Sequence, residues 1–312
     1  MVTLYSIVIP VYNEAEVLPT LYQRLTQVME SLGEPYEVIF VNDGSRDVSP
    51  FLIRELQAKD ERVKLISFSR NFGHQTAITA GLDHSVGQAV VVMDADLQDP
   101  PEVIPRMIEK WREGHEVVFA MRERRSGEGL FKRVTAAVFY RLLRQLTAIE
   151  IPLDAGDFRL MSRRAVEALK VVRERNRFMR GLAAWIGFRQ TSITFVRDVR
   201  YAGKTKYPLR KMMRFALNGL TSFTTVPLQL STYLGFAVSL ISLFYMVYVI
   251  GRKLFTDQFV PGWTSVIVAV LFLGGIQLIS LGIIGEYIGR IYEEVKQRPL
   301  YVIDESVGFE KE

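Results

Sequence analysis

Over the first 120 residues, short apolar runs alternate with segments of helical spacing. Ser6–Val11 is apolar and reads as a strand. From Glu14 to Leu32, the residues Val17, Leu18, Leu21, Leu25 and Val28 recur at the spacing that gathers side chains on one helix face. Further strands are predicted at Glu37–Asn42, Val63–Phe68, Ala89–Met93 and Glu116–Ala120. Helices are predicted at Asp47–Asp60, Gln75–His84 and Pro101–Gly114, with Asp47 placed to cap the first of these and Pro101 to open the last. This alternation predicts an α/β domain built on a mostly parallel, doubly wound sheet. Such sheets bind ligands outside the carboxyl ends of their strands. Asn13-Glu14, Asp43-Gly44-Ser45 and Asp94-Ala95-Asp96 all fall there.

The pattern changes in the C-terminal part. No charged residue occurs from Phe215 to Gly251, or from Gln258 to Gly285. A helix of about 20 apolar residues crosses a bilayer. The runs therefore predict one span over residues 228–250 and another over 263–285. Trp263, Tyr287 and Tyr292 stand near the ends, where interfacial aromatics belong. Arg210, Lys211 and Arg214 precede the first span, and Arg290, Lys296 and Arg298 follow the second. The short link between the spans carries Arg252, Lys253 and Asp257. This basic excess on the flanks predicts that both termini face the cytoplasm. Before the first span, Leu209, Met212, Met213, Ala216, Leu217 and Leu220 form an apolar stripe beside basic residues, the pattern of an interfacial helix. The expected organisation is an α/β domain over 1–205, juxtamembrane amphipathic helices over 206–227, a transmembrane hairpin over 228–290 and a cytoplasmic tail over 291–312. Leu4–Val11 is short, lacks a basic leader and runs into Asn13-Glu14, so it reads as a strand and not as a signal peptide.

Composition narrows the chemistry. Cysteine is absent from the 312 residues, which excludes disulfides, thiolate nucleophiles and cysteine-based zinc sites. His74, His84 and His115 are scattered without metal-ligand spacing. The net charge of +5 points to an anionic partner such as a phosphorylated substrate or a lipid headgroup. Nucleic acid fits poorly. The basic residues flank carboxylate-rich strand ends and apolar spans, and do not form an aromatic-interleaved stripe.

Asp94-Ala95-Asp96 closes an apolar strand. Side chains alternate along an extended chain, so both carboxylates face one point. Hard oxygens with open positions suit a Mg²⁺ or Mn²⁺ that also holds a diphosphate. Aspartates after a strand also make turns, so the pair alone leaves both readings open.

Three motifs stand in order: Ser6-Ile7-Val8-Ile9-Pro10-Val11-Tyr12-Asn13-Glu14, Val41-Asn42-Asp43-Gly44-Ser45, and Asp94-Ala95-Asp96-Leu97-Gln98-Asp99-Pro100-Pro101. Together they resemble the family 2 glycosyltransferases of GT-A fold, over about residues 4–205. Arg70-Asn71-Phe72-Gly73-His74-Gln75 and Gly203-Lys204-Thr205-Lys206-Tyr207 narrow the resemblance to polyisoprenyl-phosphate glycosyltransferases. These include relatives of bactoprenol glucosyltransferase and dolichyl-phosphate mannose synthase. The resemblance implies that Pro10, Tyr12, Asn13, Glu14, Asp43, Asp94 and Ala95 bind the nucleotide sugar. It implies that Asp96, with Gln98 and Asp94, holds the divalent metal.

Guanidinium groups suit phosphate, so Arg122, with Lys132 or Arg133, Arg200 and Lys204, is expected to hold the lipid phosphate or the donor diphosphate. Each of these is equally at home on a solvated surface. Many family 2 members carry a Glu-Asp pair where this chain has Gly156-Asp157. The departure suits a phosphate acceptor, whose second pKa of about 6 leaves it anionic without a strong base. Asp157 is then expected to act as a base or to position a substrate. No Gln-x-x-Arg-Trp pattern is present, which favours a single transfer per acceptor. His74 reads as a loop histidine satisfied by backbone.

The resemblance thus implies inverting transfer of a hexose, most simply glucose from UDP-glucose, to a polyprenyl phosphate at the cytoplasmic face of the cell membrane by a homo-oligomeric, multi-pass enzyme. Asp94, Asp96, Asp157 and Arg122 are its expected catalytic residues. A family 2 transferase acting on another membrane acceptor, or a non-catalytic scaffold that binds nucleotide sugar, stands as the alternative.

Overall fold

The computed structural model describes residues 3–122, 155–175, 177–195, 226–256 and 262–309. The chain divides into two compact units, Met1–Met213 with Arg298–Glu312, and Arg214–Gln297.

The first unit is an α/β domain. Its strands are β1 (Tyr5–Val11), β2 (Tyr36–Asn42), β3 (Val63–Phe68), β4 (Ala89–Val92), β5 (Val117–Arg122), β6 (Ala155–Ser162), β7 (Gln190–Phe195) and β8 (Ile303–Val307). They form one sheet in the order β7-β5-β6-β4-β1-β2-β3-β8. The helices are α1 (Leu18–Leu32), α2 (Ser49–Lys59), α3 (His74–His84), α4 (Ile104–Arg112), α5 (Arg163–Val171) and α6 (Met179–Trp185). Strands β1 to β4 are mutually parallel, as the alternation predicts. β6 enters antiparallel between β4 and β5, and β7 runs parallel to β5.

Burial explains the apolar runs. β1 and β2 are covered on both faces, so neither shows polar alternation. On one face, Leu18, Leu21, Leu25 and Met29 of α1 share a core with Ile7, Ile9, Val38 and Phe40. Each such side chain, fully buried, contributes about 1.5–3 kcal/mol. On the other face, Ala77 and Ala80 of α3 meet Ile39, Val41, Ile66 and Phe68. α3 lies so close to β1 that a Cβ on Gly81 would come within 2.1 Å of a Val8 methyl. α1 ends at Gly33, whose φ of 66° supplies the left-handed cap.

Pro10 lies inside β1, where a missing N–H ordinarily costs a ladder bond. Here it costs none. Leu4 and Val8 turn their carbonyls to the β4 side and accept from Ala89 and Met93, whereas Val11 accepts from Asp43 on the β2 side. Pro10 shares the parity of Val8, and the β1–β4 register ends at Val8. β1 and β4 therefore part at Pro10. The strand order also reverses between them, the position where open α/β sheets bind ligands.

The second unit contains α7 (Val226–Thr256) and α8 (Trp263–Val295), packed against each other. Phe236, Ile241, Phe244, Val270 and Phe272 are exposed on them. Among the described residues, Phe272–Val295 is the one stretch long and apolar enough to cross a membrane, and Ser231–Tyr245 is a shorter apolar stretch. Of the amphipathic segment expected over residues 206–227, all but the last two residues lie outside the described residues, and Val226 and Pro227 begin α7.

The last residues do more than the sequence suggests. Where a tail is expected over 291–312, α8 continues to Val295 and Ile303–Val307 forms β8, antiparallel to β3 at the sheet edge. Element ends shift elsewhere too. α1 starts at Leu18, not Glu14, and β4 stops at Val92, not Met93. Asp47 is not the cap residue of α2, although its carboxylate accepts from the N–H groups of Ser49 (3.0 Å) and Ala15 (3.2 Å).

Candidate active site

The loops after β1 and β2 are laced together. Asn13 adopts a left-handed φ of 56°. Its N–H donates to Ser45 Oγ (3.0 Å), and its Oδ1 accepts from Arg46 N–H (2.8 Å). Glu14 N–H donates to Ser49 Oγ (3.1 Å), and Ser45 N–H to Asn42 Oδ1 (2.9 Å). Tyr12 is exposed beside this lacing, and Pro10 is buried beneath it.

Asp43 is buried at the end of β2. Its Oδ1 accepts from Phe72 N–H (2.7 Å), and Gly73 N–H lies 3.1 and 3.0 Å from its two oxygens. Asn71 Nδ2 donates to its carbonyl (3.0 Å). Asp43 thus seats the Arg70–Gly73 loop. Burial raises its pKa, against the lowering effect of those N–H donors.

The chain turns sooner after β4 than an extended strand would. Ala95 and Asp96 lie in a turn, and Leu97 has a φ of 57°. Strand alternation is therefore not what orients the two aspartates. The turn does so, and Gln98 N–H donates to Asp96 Oδ1 across it (3.2 Å).

Asp157 reaches the same place through β6. In the β4–β6 register Val92 faces Arg159. Continued two residues beyond β4, that register sets Asp157 opposite Asp94. Three side chains then converge on Asp157. Arg180, at the start of α6, donates through Nε (3.0 Å) and a terminal nitrogen (3.2 Å). Gln75 Nε2 donates at 3.3 Å. His74 Nε2 stands 3.3 Å from Asp157 and 3.4 Å from Asp94. The buried Arg159 closes the rear, donating to the carbonyls of Gly156 (3.0 Å) and Met179 (3.2 Å). Gln75 also accepts from Met179 N–H (2.9 Å), tying α3 to α6.

The electrostatics follow from this packing. Burial opposes charge on Asp157, but Arg180 and His74 outweigh it and hold the carboxyl well below the usual range. Burial also opposes charge on His74. The bond to Asp157 and the charges of Asp94 and Asp157 overcome it and carry the imidazole up to about 9. At neutral pH His74 is a cation between two aspartates. Asp94 moves the other way: burial raises its pKa, His74 opposes the rise, and Asp157 and Asp96 add to it.

Asp94 Oδ1, which His74 Nε2 approaches only to 3.4 Å, and Gln98 Oε1 are buried oxygens without a hydrogen bond among the described residues. Together with Asp96 they are the hard oxygen donors that could hold Mg²⁺ or Mn²⁺. Among the described residues no group of three acidic, histidine or cysteine side chains forms a ready cage. A cation would therefore take its remaining ligands from phosphate oxygens and water, as Mg²⁺ ordinarily does.

Arg122 is the last residue of β5, opposite Phe195 of β7. β5 runs in the same direction as β4, so Arg122 lies at the sheet edge that carries Asp94. Lys132, Arg133, Arg200 and Lys204 lie outside the described residues.

Residues 6–170 match the glycosyl transferase family 2 domain. This chain is a family 2 glycosyltransferase. Residues 226–291 of the transferase match the GtrB C-terminal hairpin. An uncharacterized glycosyltransferase of Bacillus subtilis is 56% identical to it over 306 residues, covering 98% of this chain and 95% of that protein. The SfII prophage-derived bactoprenol glucosyl transferase of Shigella flexneri is 46% identical over 301 residues, covering 96% and 97%. A prophage bactoprenol glucosyl transferase homolog of Escherichia coli is 44% identical over 298 residues, covering 96% and 97%. The resemblance carried by the ordered motifs holds at the level of the family and of the hairpin.

The site of this transferase contains residues the motifs did not mark. Arg180 belongs to no motif and was missed. Gln75 ends the Arg70–Gln75 motif without an assigned role. His74 is not the backbone-satisfied histidine expected from its loop, because its Nε2 lies between two carboxylates.

Proposed function

We propose that this transferase moves glucose from UDP-glucose to a polyprenyl phosphate at the cytoplasmic face of the cell membrane, inverting the anomeric centre. The observation that carries the reading is Asp157. Arg180, Gln75 and His74 bind its oxygens, and it stays ionised far below neutral pH. A carboxylate so held is a poor proton acceptor and a good strut. The acceptor must then bring its own nucleophilic anion, which a phosphate monoester does at neutral pH, its second pKa being about 6. The names of the Shigella flexneri and Escherichia coli relatives point to glucose and to bactoprenol, a polyprenyl lipid.

In the mechanism, a phosphate oxygen of the acceptor attacks the anomeric carbon as the bond to UDP breaks, a single displacement. Asp94, Asp96 and Gln98 would hold Mg²⁺ or Mn²⁺, which when bound neutralises charge on the departing diphosphate. Tyr12, Asn13, Glu14, Asp43 and Ala95 surround the nucleotide sugar, with Pro10 opening the crevice. His74 and Arg180 fix Asp157, and Asp157 orients the sugar or the acceptor. Arg122, with Lys132, Arg133, Arg200 and Lys204, receives the lipid phosphate. α7 and α8 cross the membrane as a hairpin and keep this chemistry near the headgroups, where a polyprenyl phosphate lies. The protein works as a homo-oligomer.

The test is a transfer assay with purified full-length protein and polyprenyl phosphate. It compares UDP-glucose, UDP-galactose, UDP-N-acetylglucosamine and GDP-mannose, with and without divalent metal. Lipid-borne sugar is expected from UDP-glucose in the presence of metal. No transfer from any donor overturns the reading, and full turnover after chelation overturns the role given to Asp96.

A further inference from the structure

The segment after α8 packs against the helix that bears His74. Tyr301 lies at the centre of this contact. Its hydroxyl donates to Asp83 Oδ2 (2.8 Å), and the same oxygen accepts from Arg173 (2.8 Å). Asp83 is near the C-terminal end of α3, and Arg173 follows α5. One carboxylate thus joins α3, the segment after α5 and the strand-forming C-terminus.

The Tyr301 ring makes a second connection. It stacks on Phe68 with centroids 5.2 Å apart, and Phe68 meets Phe72 edge to face at 5.6 Å. Phe72 belongs to the Arg70–Gly73 loop that Asp43 holds through its N–H groups. Tyr301, Ile303 and Phe309 also pack on the cluster that includes Ala77 and Ala80 of α3. Ser69 N–H donates to Val302 carbonyl (3.1 Å), closing the seam.

α3 has little freedom to absorb a change here. Its Gly81 is pressed against Val8, so the helix is fixed laterally on β1. What remains is sliding or tilting along its axis. The Asp83 junction opposes that at one end, and the seated loop opposes it at the other. His74 and Gln75, the first residues of α3, are the ones that meet Asp157.

We propose that Tyr301 is a positioning residue of the transferase. Through Asp83 and the Phe68–Phe72 stack, it sets α3 so that His74 and Gln75 register against Asp157. The C-terminal segment is accordingly part of the active-site framework. The proposal deepens the role given to Asp157 above and rests on that reading, but it does not depend on which acceptor is used.

The experiment compares full-length Tyr301→Phe, Asp83→Asn, their double variant and Glu305→Gln. Phe keeps the ring stack and removes only the hydroxyl. Glu305 lies in β8, pairs with Arg54 of α2 and makes no bond to α3 among the described residues, so its variant reports on loosening of β8 alone. Steady-state kcat and donor KM are measured together with hydrogen exchange of peptides spanning Phe72–Thr79. Tyr301→Phe and Asp83→Asn should each lower kcat about three- to tenfold with a smaller change in KM, and should speed exchange over Phe72–Thr79. The double variant should lose no more than the worse single one, because the Tyr301–Asp83 bond is common to both, Asp83→Asn weakening the Arg173 pair as well. Glu305→Gln should match the parent in kcat. Unchanged kcat and exchange in Tyr301→Phe, multiplying losses in the double variant, or an equal kcat loss in Glu305→Gln would each overturn the proposal. If the parent gives no lipid product, the acceptor reading fails, and the exchange arm still decides whether Tyr301 holds α3.

Discussion

Asp157→Asn removes one charge from the site with almost no change of shape. Wild-type Asp157 accepts from Arg180 at 3.0 and 3.2 Å and from Gln75 at 3.3 Å, and it faces His74 at 3.3 Å. A hydrogen bond to a charged group contributes about 1.5–3 kcal/mol, and breaking a buried pair costs about 3–5 kcal/mol. Asp157 is buried, but the Arg180 side chain is 32% exposed, so water partly re-solvates it. The lower end applies, about 3 kcal/mol. For a domain of 150–250 residues each kcal/mol moves Tm by about 2–4 °C, so Tm should fall by roughly 6–12 °C at pH 7.

The pH dependence has a definite sign. The folded-state pKa of Asp157 lies well below its ordinary value. Its contribution is therefore present above the unfolded pKa, about 3.9, and is lost as pH falls through the folded one. The Tm gap between parent and variant should narrow on acidification below about pH 4. Thermal unfolding of both full-length proteins in detergent, followed by fluorescence across pH, measures it. A Tm within about 1 °C of the parent at pH 7, or a gap that widens in acid, would refute the ion-pair account.

Two other perturbations probe the framework and the membrane arrangement. Gly81→Ala puts a Cβ within 2.1 Å of Val8 and should cost about 1–3 kcal/mol, read as a lower Tm with the α3 peptides exchanging faster. The chain has no cysteine, so single introduced thiols report topology cleanly. In intact cells, Asp257→Cys should react with an impermeant maleimide, whereas Ser306→Cys should react only after lysis. Labelling of both in intact cells, or of neither, contradicts the hairpin.

The sequence made the first half of the sheet legible because β1 to β4 are predominantly apolar and are separated by helices of regular spacing. Asp43 and Asp94 were found at strand ends for the same reason. Asp157, Asp94, His74 and Gln75 stand in motifs, but nothing local says that they meet, and Arg180 stands in none. The placement of Asp157 opposite Asp94 arises from antiparallel insertion of β6, a pairing between residues about 70 apart that no local pattern encodes. Arg180 lies on a short helix with no motif around it, so nothing local distinguished it from a surface arginine. His74 was misread because a loop histidine usually finds backbone partners, and here two carboxylates outcompete them. β8 escaped notice because Ile303–Val307 is short, carries the adjacent acidic residues Asp304 and Glu305, and alternates half-buried with exposed positions, as an edge strand with one solvated face does.

The most direct measurement is the structure of the lipid product. Purified transferase, UDP-glucose, divalent metal and polyprenyl phosphate are incubated, and the glycolipid is extracted for mass and anomeric proton coupling. UDP-glucose carries an α linkage, so a single displacement by the lipid phosphate yields β-glucosyl phosphoryl polyprenol, with one UDP released per glucose transferred. An α-linked product, or UDP release without lipid-borne glucose, would contradict the account.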